Sequence, residues 1–183
     1  LPLLSNEKIQ PAADPKLWAD RDQWEIGRMI LSQQLDPATE TQRALWLARL
    51  PVILIWLGLG LIVWRWAESR TTPWGGAVAA VVYAFEPTLL GHGHLITTDV
   101  AVAAAIALTL WLATKLVAKP SWRLAFFMAA ACGLAQLTKF SALILWPTLF
   151  GLLAIVVVGR PTSWSWRWWW RTVGMTLVTT AAL

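Results

Sequence analysis

The sequence predicts an all-α fold, a polytopic transmembrane helical bundle of about five to six spans with an external amphipathic segment. Hydrophobic residues make up 57% of the 183 residues and charged residues only 14%, against roughly 25% charged residues in soluble domains. The apolar residues occur in long runs that short polar connections separate. Such a chain places most of its apolar surface in a lipid bilayer.

The charged residues divide the chain into two parts. Residues 1–48 contain five Lys and Arg against seven Asp and Glu, whereas residues 49–183 contain ten against three. The basic residues of the second part interrupt apolar runs and form no patch, so they indicate membrane topology and not nucleic-acid binding. We expect membrane lipids as partners and no nucleic acid.

Residues 1–45 are predicted to form an external domain. Asp14-Pro15 and Asp36-Pro37 are turn or helix-start signals, and apolar residues recur at helical spacing between them. The pattern predicts an amphipathic helix over about 15–34, which lies on the membrane surface with Trp at headgroup level or is a soluble helix with a packed Trp stripe. Residues 46–183 are predicted to form the transmembrane domain.

Successive apolar runs predict the spans of this domain. The first run has Pro51 in its first turn, where the missing N–H costs nothing, and the second is rich in Gly and Ala, which permit close helix packing. One helix over 122–158 would far exceed the roughly 20 residues that cross a bilayer, so we place a break at Thr138-Lys139. The predicted spans are 50–66, 74–88, 97–116, 122–138 and 140–158, followed by a segment that runs to Leu183.

Lys and Arg residues in the short loops predict which side of the membrane each loop faces. Most of them fall on one side, predicted to be cytoplasmic, and only Lys139 falls in the short loops opposite. Residues 1–45, residues 86–99 and Lys139 are therefore predicted to face outside. Trp residues between 164 and 170 are predicted to form an aromatic belt on the cytoplasmic side. The cytoplasmic cations are Arg65, Arg70, Lys115, Lys119, Arg123, Arg160, Arg167 and Arg171.

Residues 86–99, Glu86-Pro-Thr-Leu-Leu-Gly-His-Gly-His-Leu-Ile-Thr-Thr-Asp99, form a short connection between two apolar runs. They include two of the three carboxylates found after residue 45 and both histidines of the chain. Ionisable groups this close to hydrocarbon are costly unless they are paired or line a polar cavity, and are functional candidates for that reason. We expect the chemistry of the protein in this 86–99 stretch.

The residue types around this stretch suit two kinds of chemistry. Carboxylates and imidazoles suit a general base or a metal site, which makes Asp99 and Glu86 the candidate catalytic residues, and Asp99 and His92 candidate ligands of a divalent metal ion. Cations suit an anionic head group, and a substrate with a lipid tail, a phosphate and a polar head would fit them. The candidate substrate-binding residues are Arg49, Arg43, Lys139 and His94.

Structural roles are equally open for the same residues. Glu86 and Asp99 can cap helix ends, since an acid in a first turn is favoured by the helix dipole. Lys139 can extend toward the membrane surface by snorkelling, and His92 and His94 can be plain loop residues. Cys132 is the only cysteine and lies within an apolar run, so we expect a small buried side chain and no disulfide.

Three motifs together resemble the GT-C lipid-linked glycosyltransferases. They are Ala-Arg49-Leu-Pro51 at the start of one span, Phe-Glu86-Pro87 through Asp99, and Gly133-Leu-Ala-Gln-Leu-Thr-Lys139-Phe-Ser-Ala-Leu at the start of another. The order and spacing are most similar to the protein O-mannosyltransferase and aminoarabinose transferase group, in its bacterial branch. The resemblance covers about residues 40–160.

The resemblance implies a multi-span enzyme of the bacterial inner membrane that uses a polyprenyl-phosphate sugar as donor on the outer face. It makes Asp99 the second acidic residue of the site, supporting a metal ion or the acceptor, and Lys139 and Arg49 phosphate-side residues. The resemblance implies that the main catalytic acid lies in the first external loop, which we expect upstream of Leu1 and so outside these residues. We expect a fragment of a longer protein, since the chain starts without Met and stops at Leu183 within an apolar run.

The leading functional interpretation is a membrane glycosyltransferase that transfers a sugar from a polyprenyl-phosphate donor to an acceptor. The alternative is a truncated, non-catalytic relative that serves as a structural subunit of a larger membrane complex. The absence of the first-loop catalytic acid from these residues and the 15 Trp residues support this alternative. A transporter subunit is disfavoured because no internal repeat or interrupted span is visible.

Overall fold

The computed structural model describes residues 23–29, 40–159 and Gly174, and within these residues the chain is helical and has no β-strand. This confirms the all-α prediction. The chain divides into two compact units, residues 1–53 and residues 54–183, and the boundary falls within one long helix. The helices are α1 Gln23–Met29, α2 Glu40–Arg70, α3 Pro73–Phe85, α4 Pro87–His92, α5 Asp99–Ala118, α6 Trp122–Thr138, a 3₁₀ turn Phe140–Ile144 and α7 Leu145–Val158.

Two helices are long and apolar enough to cross a membrane. They are the Gln42–Arg70 part of α2, with 29 residues, and α5, with 20 residues, against the roughly 20 residues that a bilayer requires. The other predicted spans correspond to the shorter apolar helices α3, α6 and the 3₁₀–α7 segment. Large apolar side chains are exposed along them, such as Leu137 at 86% and Phe140 at 88%, as in a protein that faces lipid.

Helix boundaries agree with the predicted spans at some ends and differ at others. The boundaries predicted for residues 122–138 and the break after Thr138 are confirmed, because α6 runs from Trp122 to Thr138 and Lys139 is extended. The second span was predicted too long, since the chain is extended at Glu86 and a separate helix, α4, follows. Pro87 explains this difference, because a proline disfavours helical geometry in the residue before it.

Other predictions differ in extent or lie outside the described residues. The first span lies within α2, which starts ten positions earlier, at Glu40. Within the predicted amphipathic helix, the structure describes α1 only. The Trp and Arg cluster and the last predicted segment lie outside the described residues.

The packed centre of residues 54–183 lies between α5, α6 and the 3₁₀–α7 segment. Small side chains of α6 are buried in it, which lets the helices approach closely. One buried cluster contains Val102, Cys132, Ala135, Ala142, Leu145 and Leu149, and a second contains Leu116, Ala125 and Met128. Cys132 is buried, as predicted, and forms no disulfide.

Helices α2 and α3 are joined by an aromatic contact. The Tyr83 hydroxyl donates to the Trp56 carbonyl oxygen at 2.6 Å, and the two rings lie 5.4 Å apart between centroids. Gly60 of α2 faces the Tyr83 ring so closely that an added Cβ would lie 2.8 Å from it. The contact therefore depends on the absence of a side chain at residue 60.

Candidate functional site

Asp99 and Lys139 form an ion pair although 40 residues separate them in the sequence. The Lys139 ammonium donates to Asp99 Oδ1 at 2.5 Å, and the side chains are 45% and 41% exposed, respectively. An ion pair this exposed contributes little to folding stability. The pair thus brings together two of the predicted site residues and leaves both accessible to a ligand.

The start of α5 positions the carboxylate. Asp99 is the first residue of the helix, where the helix dipole favours a negative charge, and the next residue, Val100, is buried at 1% exposure. Thr97 and His92 are further polar neighbours of the carboxylate. Asp99 is therefore held at the helix end with its charge directed away from the packed centre.

The break between α6 and the 3₁₀ turn positions the ammonium. The backbone N–H of Lys139 donates to the Ala135 carbonyl at 3.2 Å, and its own carbonyl accepts from the Ala142 N–H at 3.0 Å. The Gln136 side-chain amide donates to the Ala142 carbonyl at 3.0 Å, which joins α6 to the turn. These bonds fix the extended residue from both sides, and its side chain reaches the carboxylate at the start of α5.

Glu86 occupies a capping position. Its Oε2 accepts a hydrogen bond from the Leu89 N–H at 2.6 Å, which satisfies one of the free donors at the start of α4. The residue also ends α3. This is the structural role that the sequence left open for Glu86, and its catalytic role stays a prediction.

Both histidines are oriented by their own backbone. His92 Nδ1 lies 2.9 Å from the Thr88 carbonyl oxygen and His94 Nδ1 lies 3.1 Å from that of Leu90. Because a carbonyl oxygen only accepts, Nδ1 is the donor in each contact, and Nε2 of each ring takes no part in it. Either Nε2 can therefore contact a substrate hydroxyl.

Gly93 places the 86–99 stretch directly against Trp56 of α2. A Cβ at residue 93 would lie 2.8 Å from Trp56 Cδ1 and 2.9 Å from the Leu89 carbonyl oxygen. Gly93 is buried while its neighbour His94 is exposed. The glycine therefore lets the backbone between the two histidines approach the indole ring.

Arg43 and Arg49 lie in α2, within the unit of residues 1–53. Arg43 is exposed and Arg49 is half-buried. Their predicted roles at a phosphate stay predictions.

The metal prediction concerns Asp99 and His92. Among the described residues, no three His, Cys, Asp or Glu side chains come together as a group that could hold a metal ion. Asp99 and His92 supply two ligands at most, and the Lys139 ammonium already contacts the carboxylate. These residues do not by themselves make a metal centre.

Two contacts of the site were not foreseen in the sequence. Trp56 touches Gly93 across two helices, and no local pattern marks a contact over such a separation. The proximity of Thr97 to Asp99 is local, since the two residues lie two positions apart in the sequence.

Comparison with known protein families gives one match. Residues 41–183 match the family described as dolichyl-phosphate-mannose-protein mannosyltransferase. No curated protein matches the chain, and no solved structure matches it. The matched range contains the 86–99 stretch, Lys139, Arg43 and Arg49, which confirms the resemblance drawn from the motifs.

Proposed function

The chain belongs to the dolichyl-phosphate-mannose-protein mannosyltransferase family, and from this membership we propose that it transfers a sugar from a polyprenyl-phosphate donor to an acceptor on the outer face of a bacterial inner membrane. Membership supports a membrane glycosyltransferase of the GT-C type that uses a lipid-linked sugar. The donor's carrier, the acceptor and the side of the membrane belong to the proposal.

The observation that carries the proposal is the exposed Asp99–Lys139 ion pair. A carboxylate and an ammonium in contact offer the two charges that sugar transfer from a phosphate requires. The acceptor oxygen bonds to the anomeric carbon, the bond from that carbon to the phosphate oxygen breaks, and the polyprenyl phosphate leaves with the electron pair. A cation stabilises the departing phosphate, and a carboxylate positions the acceptor or takes its proton.

Lys139 is the cation that we assign to the phosphate. Without donor its ammonium is bound to Asp99, and the two non-bridging oxygens of the donor phosphodiester, which share one negative charge, would compete for it. Donor binding would then release Asp99 from the pair toward the acceptor, so that the carboxylate becomes available when a substrate is in place. His94, which is exposed, is assigned to the sugar or the acceptor. The roles of Arg43 and Arg49 at a phosphate rest on the sequence alone.

Substitution of the two paired residues tests the proposal in the full-length protein. With a radiolabelled polyprenyl-phosphate sugar, Asp99→Asn should reduce kcat by roughly 100-fold, the lower range for a general base or acid. Lys139→Gln should raise KM for the donor, because the phosphate loses a charged partner, while Lys139→Arg should retain most of the affinity. Glu68→Gln is the matched control, since Glu68 is a carboxylate in another exposed ion pair, 3.7 Å from Arg65.

Two results would contradict the proposal. Unchanged turnover in Asp99→Asn, with folded protein by circular dichroism, would exclude Asp99 from the reaction. A wild-type protein that binds no donor and transfers no sugar would favour the alternative, a structural subunit of a larger membrane complex.

A divalent metal at Asp99 and His92 is a separate prediction. If a metal supports the acceptor, EDTA should abolish turnover, Mn²⁺ should restore it, and His92→Ala should raise the Mn²⁺ concentration needed. Full turnover in EDTA would contradict the metal prediction.

A further inference from the structure

The turn between α5 and α6 gathers positive charge with no acid nearby in the sequence. Lys115, Lys119 and Arg123 fall within nine positions and are all exposed. No Asp or Glu follows Asp99 anywhere in the chain, and Asp99 lies at the opposite end of α5. The cations of this turn therefore have no carboxylate of the hairpin to neutralise them.

The three cations differ in what they already contact. The Lys115 ammonium lies 3.6 Å from the centroid of the Trp111 ring, a cation–π distance. Among the described residues, Lys119 and Arg123 have neither a hydrogen bond nor an ion pair through their side chains, whereas Arg65 has Glu68 and Lys139 has Asp99. Lys119 and Arg123 are the charges available to a ligand.

Aromatic rings border the same charges. Trp122, Arg123, Phe126 and Phe127 line an open groove of about 580 Å³, and its three aromatic residues are 59%, 66% and 57% exposed, respectively. The Phe126 and Phe127 rings contact each other edge to face with centroids 5.7 Å apart. One arginine at the rim of an aromatic groove suits a ligand that is anionic at one end and apolar at the other.

We propose that the α5–α6 turn binds an anionic glycerophospholipid of the bilayer, with the head group on Lys119 and Arg123 and the glycerol and upper acyl chains in the Trp122–Phe127 groove. Charge complementarity selects the occupant, because basic residues at the end of apolar helices attract anionic head groups. Trp beside them fits the membrane–water interface. This site is separate from the Asp99–Lys139 pair and does not depend on the proposed function.

Retention of lipid by the full chain tests the proposal. The protein is exchanged into detergent micelles with equal amounts of phosphatidylglycerol and phosphatidylcholine, and bound lipid is counted by native mass spectrometry. Wild type should retain phosphatidylglycerol in preference to phosphatidylcholine. Lys119→Gln/Arg123→Gln should lose about tenfold or more of this retention, since each surface cation contributes to anionic lipid binding.

Two further variants separate the site from general charge and from folding. Arg65→Gln/Arg70→Gln removes the same charge from another helix end and should retain the lipid as wild type does. Phe126→Ala/Phe127→Ala keeps both cations and should lower retention by removing the groove. Helix content of every variant is checked by circular dichroism, and lysine–arginine exchange at Lys119 and Arg123 should preserve binding.

Any of three results would overturn the proposal. These are equal retention of the two lipids by wild type, undiminished phosphatidylglycerol in Lys119→Gln/Arg123→Gln, and displacement of the lipid by inorganic phosphate at low millimolar concentration. The last result would indicate a site for a free anion instead of a lipid.

Discussion

A single missing side chain determines how closely the 86–99 stretch packs on α2. Gly93 has ordinary helical backbone angles, φ −64° and ψ −16°, so its backbone would accept any residue. The requirement is one of space alone, because Trp56 and the Leu89 carbonyl occupy the position of a Cβ. The backbone that carries both histidines thereby depends on the indole ring of another helix.

Gly93→Ala should therefore destabilise the protein, by about 1–3 kcal/mol for a tightly packed site. Thermal unfolding in detergent measures the effect. Gly91→Ala is the control two residues away, since nothing lies within 4 Å of a Cβ there and alanine is the better helix former. A Gly93→Ala variant as stable as Gly91→Ala would contradict the packing described for Trp56.

Among the elements, α6 has one face packed against other helices and one exposed face. Ala131 is buried at 2% exposure and its neighbour Ala130 is exposed. The same substitution at two adjacent residues can thus report on both faces.

Ala131→Leu should lower stability by about 1–3 kcal/mol, because the added methylenes have no space between the packed helices. Ala130→Leu should have little effect or raise stability slightly, since residue 130 is exposed and a leucine side chain there contacts detergent or lipid and no neighbouring helix. The midpoint of thermal unfolding, followed by circular dichroism in detergent, compares the two. Equal midpoints would show that the packed face of α6 is placed elsewhere.

Local signals in the sequence account for most element boundaries. Pro87 ends α3, and the limit on the length of a single span places the break at Lys139, where α6 indeed ends. The start of α2 at Glu40 was missed because four polar residues, 40–43, open the helix, and Arg49 interrupts the apolar residues before residue 50. Helix α4 was also not predicted, because its six residues are too few to show a helical periodicity of apolar residues.

The residues of the candidate site could be singled out from the sequence, but the contacts between them could not. Asp99 and Lys139 stood out because charges are rare beside apolar runs. Their contact follows from the way α5 and α6 pack into a hairpin, and no pattern within either segment encodes it. The same holds for Trp56 and Gly93, whose contact joins residues from two helices.

At the scale of the whole molecule, membership of a membrane glycosyltransferase family and two helices long and apolar enough to cross a bilayer indicate an integral membrane protein. Its orientation can be tested because the sole cysteine is buried, at 1% exposure. In a Cys132→Ser background, a cysteine placed at exposed Leu95 should react with a membrane-impermeant maleimide in intact cells. A cysteine at exposed Lys119 should react only after the membrane is opened, and the reverse pattern would contradict the predicted topology.

The Asp99–Lys139 contact has a further consequence for the biogenesis of the protein. During synthesis the carboxylate leaves the ribosome first, and its partner follows 40 residues later, after all of α5 and α6. The carboxylate is thus unpaired until the hairpin has been inserted and has closed. Formation of the pair marks the closure of the α5–α6 hairpin, so a chain arrested before residue 139 would expose an unpaired charge that quality-control proteases of the membrane can recognise.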